Sequence, residues 1–220
     1  AQHSKIKIPS AQQVQSKALA HKKLVALTFD DGPDPQTTPR LLSILKKANV
    51  PATFFVLGNR LEMYPELVKK EHALGNQVGS HTYNHENLPQ LSAKQAQDEI
   101  KKTSDLMQKT VGIRPQGLRP PYGATTPQIN KIAQTPIIQW SVDSLDWESK
   151  NVDQIEQVVM NEVYDGSIIL MHDIYDTSVD GAARVIQKLK NQGYTFVTVN
   201  QLIQARGKLE NSHVYYNATR

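Results

Sequence analysis

Strand-length apolar runs alternate with amphipathic helical segments along most of this chain, and that alternation restricts the fold more than any other feature. The apolar runs are Leu24–Phe29, Ala52–Leu57, Gln77–Ser80, Gly117–Arg119, Ile137–Val142, Ser167–Met171 and Thr195–Val199. Between them, Thr38–Ala48 sets Leu41, Leu42 and Leu45 at helical spacing. Pro65–Leu74 opens on a proline at a helix start and stops before Gly75. Ser92–Lys109 opens on a good N-cap serine. Pro127–Ala133, Asp153–Val163, Val179–Asn191 and a short helix from Asn200 complete the series. Strand followed by helix, repeated, makes a parallel sheet. About seven such units predict an α/β fold and favour a (β/α) barrel of TIM type with about seven parallel strands, irregular or incomplete, over an open sheet.

The chain has 220 residues, enough for one domain with a real core. Ala1 to Ala20 is polar, rich in Gln, Lys and Ser, and reads as a leader or linker remnant. No apolar run approaches the roughly 20 residues of a membrane span. The absence of cysteine excludes disulfides, thiolate metal sites and a cysteine nucleophile. The net charge is +4, but the lysines are scattered and not interleaved with aromatics. That pattern reads as a solvated surface rather than a nucleic-acid interface.

In parallel α/β folds the site lies at the carboxyl ends of the strands, and the unusual polar residues of this chain fall there. Leu24–Phe29 runs into Asp30 and Asp31, Gln77–Ser80 into His81 and His85, and Gly117–Arg119 into Pro120, Pro121 and Tyr122. Ile137–Val142 runs into Asp143, Asp146 and Trp147, and Ser167–Met171 into His172 and Asp173. His81 and His85 stand four apart, so on a helical turn both imidazoles would reach one cation. Two surface histidines are the competing reading of that pair alone. Neighbouring strand residues point to opposite faces, but Gly32 and Pro33 end the strand, which lets Asp30 and Asp31 both turn to the rim. A turn capped by Asp31 explains one aspartate easily and two less well. Adjacent carboxylates repel unless a cation lies between them. Two imidazoles and a carboxylate leave coordination positions open, as catalytic sites do. Zinc fits this donor set, and cobalt, nickel or manganese also fit. His172 is read as a fourth ligand, as a proton donor kept charged by Asp146, or as a buried structural histidine.

The ordered segments Thr28-Phe29-Asp30-Asp31-Gly32, His81-Thr82-Tyr83-Asn84-His85, Arg119-Pro120-Pro121-Tyr122-Gly123, Asp143-Ser144-Leu145-Asp146-Trp147 and Leu170-Met171-His172 resemble the motifs of carbohydrate esterase family four. These are the polysaccharide deacetylase domains related to nodulation chitooligosaccharide deacetylases. The resemblance implies one divalent metal ion, zinc first, held by Asp31, His81 and His85. It implies Asp30 as general base oriented by Arg119, His172 as general acid paired with Asp146, and the Tyr122 amide facing the oxyanion. Trp147, Leu170 and Pro121 would line the substrate pocket. Residues 21–205 then form the catalytic domain, between the leader 1–20 and a tail 206–220. The implied activity is hydrolysis of N-acetyl groups on N-acetylglucosamine units of a polysaccharide. A cationic chain and an exported-looking leader favour peptidoglycan. Chitooligosaccharide deacetylation and acetylxylan O-esterase activity stay open, as do a non-catalytic sugar-binding module and, by its ligand triad, a non-haem iron oxygenase. The expected partner is a polysaccharide, with no nucleic acid and no membrane span. The expected state is a monomer outside the cell or at its wall.

Overall fold

The computed structural model describes residues 8–220. Its strands are β1 (Leu24–Asp30), β2 (Thr53–Val56), β3 (Gln77–Ser80), β4 (Ile137–Ile138), β5 (Val142–Asp143), β6 (Ser167–His172), β7 (Thr195–Phe196) and β8 (Val214–Tyr215). Its helices are α1 (Ala11–Leu19), α2 (Thr38–Ala48), α3 (Gly58–Met63), α4 (Pro65–Ala73), α5 (Ala93–Thr110), α6 (Pro127–Ala133), α7 (Asp146–Ser149), α8 (Val152–Glu162), α9 (Asp176–Asn191) and α10 (Val199–Arg206).

The main sheet runs β3-β2-β1-β6-β5, with all these pairs parallel. Leu118 bridges in parallel to Ser80 of β3 on one side and Ile137 of β4 on the other. Since β4 continues through Ser141 into β5, the ring closes into the expected (β/α) barrel. The barrel is distorted at its foot. β6 occupies one edge of β1 along Val25–Asp30, so β7, beside Leu24 and Val25, shares the other edge with β2. β8 pairs with β4, and Asn217 bridges Ser167 at the start of β6.

The alternation of side chains along β1 decides what faces what. Val25, Leu27 and Phe29 join the larger apolar cluster beneath α2, α8 and α9, and Phe29 stacks on Phe54 at 5.5 Å between centroids. Leu24 and Ala26 face the other way, into the smaller cluster with Phe55, Ile138, Ile168 and residues of α10. Thr28 and Asp30 share that inner parity, which carries Asp30 to the mouth of the barrel. β6 repeats the pattern, with Ile169 and Met171 in the outer cluster and Ile168 in the inner one.

Several element readings change. Gly117–Arg119 contributes only single bridges at Leu118, although backbone bonds run on both its sides. The run Ile137–Val142 breaks between Ile138 and Val142, because the carbonyls of Ile138 and Gln139 turn to Arg119. α3, which carries little apolar pattern, precedes α4. Within the stretch read as a leader, residues 1–7 lie outside the described residues, but α1 is a helix with a Ser10–Gln13 capping box. Leu19 at its end packs on the inner cluster. Residues 206–220, set apart as a tail, are built into the foot through β8, and Arg206 donates to the Ala218 carbonyl at 3.2 Å. Among the described residues no helix is long and apolar enough to cross a membrane.

Candidate active site

At the mouth of the barrel, the end of β1 delivers two aspartates to the same side. Asp30 arrives by strand parity. Asp31 has φ +77°, a left-handed backbone that breaks the alternation and brings its carboxylate to the rim as well. His81 follows β3, and its amide still bonds to the Val56 carbonyl at 2.8 Å, so the strand end places it. His85 comes from a loop. The helical turn expected over His81–His85 is absent, because Thr82 and His85 adopt φ of +69° and +61°. That folded-back loop, rather than helical spacing, sets the two imidazoles together, with centroids 4.8 Å apart.

Asp31 Oδ1 lies 3.4 Å from His81 Nε2 and 3.6 Å from His85 Nε2. Ligand atoms from the three residues all fall within 4.8 Å of one another. Asp31 Oδ1 is buried with no hydrogen-bond donor, and an acceptor in that state needs a positive partner. His81 Nδ1 donates to the Arg119 carbonyl at 2.6 Å, which fixes the ring with Nε2 facing Asp31. Burial, aided by the His81 charge, lowers the His85 pKa from its ordinary value, which favours the neutral form that ligates. Burial would push Asp31 up, but His81, His172 and His85 outweigh it and hold the carboxyl below its ordinary value. One carboxylate and two imidazoles around an orphaned oxygen fit a divalent ion.

Asp30 sits beside this triad, with Oδ2 3.7 Å from His81 Nε2. Its other oxygen accepts from Arg119 Nη1 at 2.8 Å. Arg119 is wholly buried and spends its remaining donors on Thr28 Oγ1 and on the Ile138 and Gln139 carbonyls, at 2.7, 3.2 and 2.8 Å. That fork cannot rotate without losing several bonds, so one oxygen of Asp30 is fixed and the other is left toward the site.

On the adjacent strand β6, next to Asp30, His172 Nδ1 bonds to Asp146 Oδ1 at 2.8 Å. The His172 amide and Ser178 hydroxyl donate to Asp146 Oδ2, both at 2.7 Å, and the Trp147 amide donates to Oδ1 at 2.8 Å. Burial would lower the His172 pKa, but the Asp146 hydrogen bond and charge raise it to about 9. His172 is thus paired with Asp146. Tyr122 has φ +62°, lies exposed at the rim and meets the His85 ring edge-on at 4.8 Å. Trp147 is half exposed, Leu170 and Pro121 are buried. Asp143 accepts from the Leu145 amide at 2.9 Å, a local turn.

Two contributors had no role assigned from the sequence. Thr28 accepts from Arg119 and donates to the Ile169 carbonyl, and Ser178 completes the donors on Asp146. Thr28 stands in the first motif, and its strand parity, shared with Asp30, is the signal of its direction. Asp173, next to His172, is buried against Gly32 and accepts from Thr38 Oγ1 at 2.6 Å. Burial pushes its pKa up to about 8. A cavity of about 830 Å³ opens elsewhere, among Ile100, Arg114, Ile132 and Leu209, and no site residue lines it.

The sequence profile described as polysaccharide deacetylase matches residues 17–136 of this 220-residue chain. The chain belongs to the polysaccharide deacetylase family. This deacetylase-family chain is 42% identical over 208 residues to the peptidoglycan-N-acetylmuramic acid deacetylase PdaC of Bacillus subtilis, across 94% of this chain and 44% of that one. It is 40% identical over 216 residues to the peptidoglycan-N-acetylglucosamine deacetylase PgdA of Listeria monocytogenes, across 98% and 45%. It therefore spans less than half the length of these curated relatives. Among solved structures, a family 4 acetyl xylan esterase from Clostridium thermocellum in complex with a cobalt ion superposes with a TM-score of 0.84 and 32% identity, covering 90% of this chain and 99% of that one. Family and barrel both agree with the resemblance carried by the motifs.

Proposed function

We propose that this domain is a metal-dependent amide hydrolase that removes N-acetyl groups from N-acetylglucosamine units of peptidoglycan. The observation that carries the reading is the convergence of neighbouring strand ends, which sets Asp30 beside the Asp31–His81–His85 triad and pairs it across β1 and β6 with His172, itself bonded to Asp146. A divalent cation held by that triad supplies positive charge that polarises the acetamide carbonyl and makes the attacking water more acidic. Zinc is the first choice for this donor set, and cobalt, nickel and manganese remain compatible.

Asp30, with one oxygen fixed by Arg119, takes the water's proton through the other. The Tyr122 amide donates to the oxyanion as it develops. An amide nitrogen leaves only when protonated, and His172, kept charged by Asp146, gives it that proton. Trp147, Leu170 and Pro121 shape the wall that receives the acetyl methyl. Products are acetate and a free amine, with no covalent enzyme intermediate. All these groups come from one chain, which fits action as a monomer, at the cell wall or outside the cell.

Similarity to PdaC favours a second reading in which the acetyl group lies on N-acetylmuramic acid. Similarity to the xylan esterase keeps O-acetyl esters open as substrates. Acetate release is to be measured on peptidoglycan glycans, chitooligosaccharides and acetylated xylan, with and without chelator. The expected result is release from peptidoglycan glycans that chelator abolishes and added zinc restores. Release from xylan alone would replace the amide reading with the ester one. No release from any of them would leave a sugar-binding module.

A further inference from the structure

The loop that carries His85 is held by a carboxylate outside every motif discussed above. Glu99 lies on α5, one residue before the buried Ile100. Its Oε2 accepts from the amides of both Tyr83 and Asn84, each at 3.1 Å. These amides lie between Thr82 and His85, whose left-handed backbones fold the loop back. The carbonyl side of the same loop is pinned by α3, where the Gly58 and Asn59 amides donate to Thr82 and Tyr83 at 2.8 and 3.1 Å. α3 approaches so closely that a Cβ on Gly58 would lie 2.5 Å from both Thr103 and the Tyr83 ring. Lys102, also on α5, sits over the Tyr83 ring at 3.7 Å. The loop is thus clamped between two helices, and Glu99 supplies the acceptor for its donors.

We propose that Glu99 is a positioning residue of the metal site, acting through the Tyr83–Asn84 backbone to hold His85 opposite His81. His81 needs no such help, because its own amide bonds to β2 and its ring to the Arg119 carbonyl. His85 has neither anchor. Without Glu99 the amides of Tyr83 and Asn84 lose their partner, and the strained residues flanking them are free to relax. The His85 ring then leaves the place where Asp31 and His81 converge. The inference rests on the metal reading proposed above.

The test measures zinc affinity by competition with a chromophoric chelator, together with the visible spectrum of the cobalt-substituted protein. Glu99→Ala and Glu99→Asp, whose carboxylate is one methylene short, are expected to bind zinc about 10- to 100-fold more weakly. Both are expected to shift the cobalt bands, which report ligand geometry. Glu99→Gln keeps an acceptor oxygen at the same reach and should recover most of the affinity. Asp98→Ala, one residue away and pointing to Lys94, should change neither readout. If Glu99→Ala does not fold, Glu99→Asp carries the same expectation. Zinc affinity and cobalt spectra in Glu99→Ala or Glu99→Asp equal to those of the unsubstituted protein would overturn the proposal. An unsubstituted protein that takes up no zinc would instead overturn the metal reading beneath it.

Discussion

Asp146 is buried and surrounded by donors from His172, Trp147 and Ser178. The hydrogen bond and charge of Asp146 raise the proton affinity of the imidazole it touches. With the His172 pKa raised to about 9, a reaction that needs its proton should lose kcat as pH rises through about 9. Asp146→Asn removes the charge, so the alkaline limb should move acidward and kcat should fall by roughly 100-fold or more. A kcat profile whose limb stays near 9 in Asp146→Asn would dismiss the pairing. The same raised pKa stabilises the fold fully below the unfolded value of 6.5, and that contribution is lost as pH rises through about 9. Residue types at this scale were legible from motif order alone. The Arg119 fork and the donors on Asp146 were not, because they depend on carbonyls and hydroxyls that any sequence offers.

Among the secondary-structure elements, α4 carries an acid with no visible function. Glu71 is fully buried and neither oxygen has a donor. Burial, with Asp173 adding to it, pushes its pKa well above 4.5. The folded protein therefore keeps a proton that the unfolded chain releases above about pH 4.5, so stability falls as pH rises beyond that point. Glu71→Gln removes this dependence. Its advantage in unfolding free energy over the unsubstituted protein should widen from pH 5 to pH 8, by about 1.4 kcal/mol per pH unit at most. An advantage that does not change with pH would contradict the assignment. The bounds of α2 and α6 were legible because proline and apolar spacing mark them, and Ser92 caps α5 as expected. The loop at His81–His85 was misread as a helical turn, since spacing alone does not reveal left-handed residues. The break between β4 and β5 was hidden for a related reason: apolar runs do not show carbonyls diverted to a buried arginine.

Across the whole molecule, strand parity and barrel closure do most of the placing. Asp30 and His172 are Cα partners across β1 and β6, so the proposed base and acid are tied by the same ladder that closes the core. The foot of the barrel was less legible, because β8 and the bridge at Asn217 join it through short pairings too weak to register as periodicity. α1 escaped because its face is almost wholly polar. The central claim is that Asp31, His81 and His85 form one open metal centre, with His172 outside it. Zinc content after metal stripping and reloading, measured by elemental analysis on the protein and its variants, tests this most directly. The expected result is a single zinc per chain, lost in Asp31→Asn and His85→Ala and retained in His172→Ala. Full zinc in Asp31→Asn and His85→Ala, or its loss in His172→Ala, would contradict it.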